Sequence, residues 1–172
     1  MRQAIVFKSR WGWMGVSETT KGIDVVVLPK LSRRAVLSEL QLSEADLLGG
    51  RSSRQLRAAQ AQLTGYLAGV RRSFDLPLDL SPGTNFQRKV WRTLRRVSYG
   101  RLRSYQWVAR RVGGIQYARA VGNAVGANPV PIVIPCHRIV AQDTSLGGFS
   151  GGLSTKRKLL TLEGTLGELR PE

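Results

Sequence analysis

The sequence contains one cysteine and one histidine, and they are neighbours in the stretch Pro135-Cys136-His137-Arg138. A cysteine attacks as its thiolate, yet an ordinary thiol is mostly protonated near neutral pH. A reactive Cys136 therefore needs a base or a positive field close by, and His137 and Arg138 are candidates. The run before it, Val130-Pro131-Ile132-Val133-Ile134, is apolar, β-branched and bounded by Pro129 and Pro135. It predicts a short buried strand that delivers Cys136 to one rigid point. On these residues alone the plain alternative stays open, that Cys136 is a small apolar filler of the core.

Composition narrows the setting. A single cysteine forms no internal disulfide, and one cysteine with one histidine cannot supply the usual four nitrogen and sulfur ligands of a zinc site. No metal and no cofactor are expected, and a reducing, intracellular compartment is: cytoplasmic, or nuclear in a eukaryote. Residues Met1 to Lys8 hold too short an apolar stretch for a secretory signal, and no segment approaches the ~20 apolar residues of a membrane span. A chain of 172 residues is long enough for one core or for two small lobes.

Charge points to the partner. There are 27 Lys and Arg against 11 Asp and Glu, a net +16, and 21 of the basic residues are arginine. From Arg88 to Arg111 lie nine basic residues and no acid. A solvated helix face would intersperse both signs, whereas an unbroken arginine-rich stretch suits phosphate oxygens, so a nucleic acid is the expected partner and a membrane is not.

The elements fall into two halves. Gln3–Phe7, Trp13–Glu18 and Gly22–Leu28 read as three strands of an antiparallel meander, with turn material between them. A short helix over Ser32–Leu40 follows, then a longer one in which Leu56, Ala59, Leu63 and Leu67 recur at helical spacing until Gly69. Phe74–Leu80 carries Pro77 and reads as an extended connector. Thr84 with Gln87 three residues on is a capping box, opening a helix with Phe86, Val90, Trp91, Leu94 and Val97 on one face and Tyr99-Gly100 at its end. Ser104 caps a second helix over Tyr105–Val112, Gly113-Gly114 turns, and a third runs from about Gln116 to Val125, which is helix-turn-helix spacing. That third helix is small-sided, with Ala118, Ala120, Gly122, Ala124 and Gly126, and Arg119 is its only charge. Either it packs tightly against its neighbours, or it lets a duplex approach closely while Arg119 enters the base stack. The expected fold class is α+β: a small lobe of antiparallel sheet with helices over residues 1–82, and a mostly helical lobe over 83–172 carrying the helix-turn-helix, winged-helix-like, and Cys136.

From Thr84 to Gly164 the chain resembles the O6-alkylguanine-DNA alkyltransferases, also called methylated-DNA–protein-cysteine methyltransferases. The matching segments are Phe86-Gln87-Arg88-Lys89-Val90-Trp91, Tyr99-Gly100, Ser104-Tyr105, Ala118-Arg119-Ala120-Val121-Gly122, Asn128 to Arg138, Gly151-Gly152-Leu153 and Leu162-Glu163-Gly164. The resemblance implies a protein that binds the minor groove of double-stranded DNA, flips out O6-alkylguanine, and takes its alkyl group irreversibly onto Cys136. O4-alkylthymine is an expected second lesion. It implies that His137 deprotonates Cys136 through a water, with Glu163 orienting the imidazole, and that Tyr105 crowds the flipping phosphate and protonates the guanine. Arg119 is implied as the finger that fills the vacated place, with Ala118, Gly122 and Arg95 also facing DNA. Asn128 is implied as a hinge, and Pro131, Ile139, Phe149 and Ser150 as surroundings of the alkyl group. Phe149 stands where some members carry tyrosine, and Gly126 where several carry a basic residue. A monomer is expected. A lesion sensor that does not transfer, or a helix-turn-helix regulator, are the competing readings; Cys136 separates the first, and the small-sided third helix, poor in base-reading side chains, the second.

Overall fold

Two turn residues between each pair of strands force the first thirty residues into consecutive hairpins. In the computed structural model, which describes residues 2–47 and 52–171, β1 (Gln3–Ser9), β2 (Gly12–Thr19) and β3 (Gly22–Lys30) form an antiparallel sheet in that order. Ile5 pairs with Val16 and Val16 with Val26. Gly22 is required where it stands: its φ is +147°, and a Cβ there would lie 2.5 Å from the Pro77 carbonyl oxygen. That close approach lets the Ile23 N–H donate to Pro77 O and the Asp79 N–H to Ile23 O, both at 2.8 Å. The 74–80 connector is thus extended, as expected, and Leu78 forms an isolated backbone bridge with Ile23 of β3.

α1 (Arg33–Leu40), α2 (Glu44–Leu47) and α3 (Arg54–Leu67) complete this unit. Ser32 and Ser53 cap α1 and α3 by accepting from the N–H of Ala35 and Leu56. Leu56, Ala59, Leu63 and Leu67 are all buried, as their spacing requires, and Tyr66 joins them. Met1–Leu80 forms one compact unit and Ser81–Glu172 another.

The second unit opens with the capping box, both halves of which form: Gln87 N–H donates to Thr84 Oγ1 and Thr84 N–H to Gln87 Oε1. α4 (Asn85–Leu94) ends five residues before Tyr99 because the chain tightens there. Arg96 N–H bonds back to Thr93 O and Val97 N–H to Leu94 O, three residues rather than four, which still buries Val97. β4 (Arg103–Ser104) and α5 (Tyr105–Val112) follow, then a 3-10 turn over Ile115–Tyr117 in place of the expected first helical turn, and α6 (Ala118–Gly126). Trp91 Nε1 donates to Ala124 O at 2.8 Å, tying α4 to α6. β5 (Ile139–Val140) pairs in parallel with β4, and α7 (Leu153–Leu162) follows.

The expected strand over Val130–Ile134 is a turn. Ile134 N–H donates to Val130 O at 2.9 Å, Ile132 takes a φ of +73°, and only an isolated bridge links Pro131 with Ile134. Three prolines in seven residues remove ladder donors, so the run is buried by its apolar side chains without joining a sheet. Val130, Ile132 and Ile134 are at most 1% exposed.

Candidate active site

The turn that replaces the strand still fixes Cys136. Asn128 lies just past α6, and its side chain spans the turn: Nδ2 donates to Ile134 O at 2.8 Å and Oδ1 accepts from Val130 N–H at 3.0 Å. Cys136 N–H donates to Ile134 O at 2.8 Å, and residues 136–138 form one 3-10 turn leading into β5. Cys136 is buried and free. Burial pushes its thiol pKa up, while the Asn128 amide, the positive charge of Lys156 and the backbone N–H groups of Cys136 and His137 favour the thiolate and offset part of that.

His137 is wholly buried, with its Nε2 2.8 Å from Glu163 Oε1. Glu163 reaches it from the C-terminal cap of α7. Burial pushes the imidazole pKa down, against the pull of the Glu163 carboxylate. Burial would raise the Glu163 carboxyl, but hydrogen bonds from His137 and Arg138 outweigh it and hold that pKa at about 2.

Arg138 does not face the thiol, contrary to its role as a candidate field for Cys136. Its Nη2 lies 2.8 Å from Glu163 Oε1, its Nε 2.9 Å from Oε2, and its Nη1 donates to Val97 O at 2.6 Å. A planar fork beside a buried carboxylate makes the bidentate pair the best use of that charge. Tyr99-Gly100, outside the helix it was expected to end, closes this layer: Tyr99 Oη donates to Leu162 O at 3.2 Å, and the Arg138 guanidinium lies over its ring.

Close to this cluster is a pocket of about 430 Å³ lined by Tyr105, Ala118, Gly122, Phe149 and Ser150, together with Val125, Gly126 and Gly148. Tyr105 Oη donates to Gly148 O at 3.3 Å. Burial, and secondarily the proximity of Cys136, raise the Tyr105 pKa and keep the phenol protonated. The small residues of α6 divide in function. Ala124 is buried against the fold, but a Cβ added at Gly122 or Gly126 would meet nothing within 4 Å, so tight packing does not explain these two. Arg119 is exposed on the first turn of α6, between the pocket residues Ala118 and Gly122.

Of the remaining expected residues, Ile139 is buried in β5, Pro131 is half-buried in the turn, and Arg95 is exposed at the C-terminal cap of α4; none of the three, nor Asn128, is among the pocket lining. Of the nine basic residues between Arg88 and Arg111, all but the half-buried Arg88 are exposed. One residue escaped the sequence reading. Lys156, on α7, is fully buried, and its Nζ donates to Ile139 O at 2.7 Å and Gly148 O at 3.2 Å. Burial lowers its pKa to about 8. The signal was present in its spacing, since Lys156, Leu159, Leu160 and Glu163 fall on one helical face.

The second unit thus joins the helix pair α5–α6 to a buried free cysteine beside a histidine–glutamate pair. Residues 85–165 fit the family model for the DNA-binding domain of 6-O-methylguanine DNA methyltransferase. A methylated-DNA–protein-cysteine methyltransferase of Mycolicibacterium paratuberculosis is 47% identical over 110 residues, 64% of this chain and 66% of that protein, so the match spans just under two thirds of its length. The crystal structure of Mycobacterium tuberculosis O6-methylguanine methyltransferase superposes with a TM-score of 0.77 at 32% identity, covering 99% of this chain and 96% of that one. A structure of Mycobacterium tuberculosis OGT in complex with DNA gives 0.74 at 31% identity, covering 95% and 94%. The chain belongs to the methylated-DNA–protein-cysteine methyltransferase family.

Proposed function

We propose that this protein repairs DNA by moving the alkyl group of O6-alkylguanine onto Cys136 in one irreversible step. The observation that carries the reading is a buried thiol next in sequence to an imidazole that is itself held by a carboxylate at 2.8 Å. His137 takes the thiol proton through a water, and Glu163 orients the ring and stabilises its charge as it forms. The sulfur attacks the alkyl carbon; the S–C bond forms, the C–O6 bond breaks, and its electron pair passes to the base. Tyr105, kept protonated by its surroundings, donates a proton to the departing guanine, which leaves neutral rather than as an anion. No water or side chain reverses the thioether, so each molecule acts once.

A base stacked in a duplex cannot present O6 to a buried thiol, so the lesion must be extruded. The open side of α6 at Gly122 and Gly126 supports entry of α6 into the minor groove, with Arg119 taking the vacated place and the exposed arginines, Arg95 among them, meeting phosphates. A 430 Å³ pocket beside Tyr105 has the size to receive a purine with its alkyl group. O4-alkylthymine, presenting an equivalent alkoxy group, is the second substrate. The protein works as a monomer in a reducing compartment, where its thiol stays free. The non-transferring sensor has no use for Cys136 beside this histidine–glutamate pair. The test is a duplex bearing one O6-methylguanine with a radiolabelled methyl group. Label should pass to the protein and to none of a Cys136→Ala variant that still binds the duplex; equal labelling of that variant would refute the assignment.

A further inference from the structure

Arginines on a solvated surface usually meet carboxylates, and the stretch from Leu80 to Gln142 contains no acidic residue. Within it, Trp107 on α5 is half-buried and flanked by two exposed arginines. The Arg111 guanidinium lies 3.7 Å from the centre of the Trp107 ring, and that of Arg103 lies 5.3 Å from it. Both are cation–π contacts, and Trp107 with Arg111 has the i, i+4 spacing that brings side chains together along a helix. Trp107 sits on the capped first turn of α5, where its N–H donates to Ser104 Oγ at 3.0 Å, so the ring has a fixed base. Two like charges gathered at one ring repel each other, and among the described residues neither is in an ion pair. A guanidinium held through its flat face keeps its N–H edge for other partners. Arg103 Nη1 donates to Leu102 O at 2.8 Å, and Arg111 makes no hydrogen bond among the described residues. At 100° per residue Trp107 lies about 200° around α5 from Tyr105, so these donors face away from the pocket that Tyr105 lines.

We infer that Arg103, Trp107 and Arg111 form a phosphate clamp, a second contact with the backbone of a bound duplex on the side of α5 turned away from the pocket. The inference rests on the reading that α6 enters a groove of DNA. In a helix-turn-helix the helix before the recognition helix crosses the backbone, which brings α5 against phosphates that flank the lesion. The ligand is phosphate and not an unpaired base, because Arg111 already covers the ring face on which a base would stack. Trp107 acts by position. It holds the two guanidiniums together against their repulsion, so less order has to be imposed when a strand arrives. Such a clamp adds affinity for every sequence and does not discriminate the lesion.

The experiment measures binding to a lesion-free duplex over a range of salt concentrations. Arg103→Gln/Arg111→Gln should lower the slope of log affinity against log salt by about two, close to one per phosphate contact. Removing two exposed charges from the first unit, Lys8→Gln/Lys21→Gln, should lower it by less than about half of one. Trp107→Leu removes no charge, yet should weaken binding about three-fold, and Trp107→Phe, which keeps a ring, should restore most of that. In the double-arginine background Trp107→Leu should cost almost nothing, since it acts through those two side chains. Equal slope changes for the arginine and lysine pairs, or an equal loss from Trp107→Leu in both backgrounds, would overturn the clamp. A wild-type protein whose duplex affinity does not fall with salt would instead overturn the DNA-binding reading beneath it.

Discussion

The two compact units bury different kinds of atoms. In the first, the buried polar side chains among the described residues are Ser9, Ser17, Glu18 and Asp79, and Asp79 Oδ2 accepts from Thr19 Oγ1 of β2 at 2.6 Å. In the second, His137, Arg138, Lys156 and Glu163 are buried together around a free thiol. Buried charge is costly and adds little net stability, so a unit that gathers four titratable or charged side chains is organised for chemistry, while the other is organised for packing. The matched family model covers only the second unit, which agrees with that division.

Glu163 is where a single change should disturb the second unit most. Glu163→Gln leaves Arg138 buried without its counter-charge, and losing one partner of such a pair typically costs ~3–5 kcal/mol of stability. Transfer should fall by about 10²-fold, the lower range for a disturbed proton transfer. The pH dependence follows from the depressed carboxyl. Because the folded pKa of about 2 lies below the ordinary 4.5, this group's stabilisation is complete above pH 4.5 and is lost as pH falls from there toward 2. Melts between pH 7 and 3 should show that acid limb in the wild type and a shallower one in Glu163→Gln; identical limbs would remove Glu163 from the account.

The first unit should respond in the opposite manner. Leu63 is 0% exposed on α3, and Leu63→Ala should cost ~2–5 kcal/mol in denaturant unfolding. The transfer rate of the folded fraction should stay within about two-fold, since the proposed reacting groups all lie in the other unit. A large rate loss with little change in stability would dissolve the division of labour.

Two substitutions on α6 sharpen the picture within the second unit. Arg119→Ala should slow transfer from duplex DNA by about 10-fold or more and leave transfer from free O6-benzylguanine nearly unchanged, because a free base needs no extrusion. Equal losses on both substrates would remove Arg119 from the flipping step. Gly122→Val is the mildest change to the fold. The position opens onto empty space and valine has a slightly better helix propensity than glycine, so the melt should stay level or rise by the equivalent of a few tenths of a kcal/mol, while duplex binding weakens several-fold. A strong loss of stability with intact binding would mean that α6 packs on that side after all.

Much of this was legible in the sequence where the signal is local. Thr84 and Ser104 each cap the helix they announce, because an N-cap involves only the next few backbone groups. His137 and Glu163 were joined only through family resemblance; nothing in their 26-residue separation states that α7 ends beside the imidazole. Val130–Ile134 misled because periodicity and β-branching report burial, and burial was correct; whether a buried run joins a sheet depends on partner strands and on prolines. Arg138 looked available to Cys136 from two residues away, but a 3-10 turn rotates it onto Glu163. Lys156 was hidden in the basic run Lys156-Arg157-Lys158, where a charged residue on a buried face looks like its solvated neighbours.

On the proposed function, all the chemistry converges on one sulfur in the second unit. Intact-mass and peptide mass spectrometry after mixing with excess O6-methylguanine duplex tests it most directly. The expected result is a gain of one methyl per molecule, on the peptide containing Cys136, with no further lesion consumed once the protein is exhausted. A methyl on a peptide from residues 1–80, or repair of many lesions by each molecule, would contradict it.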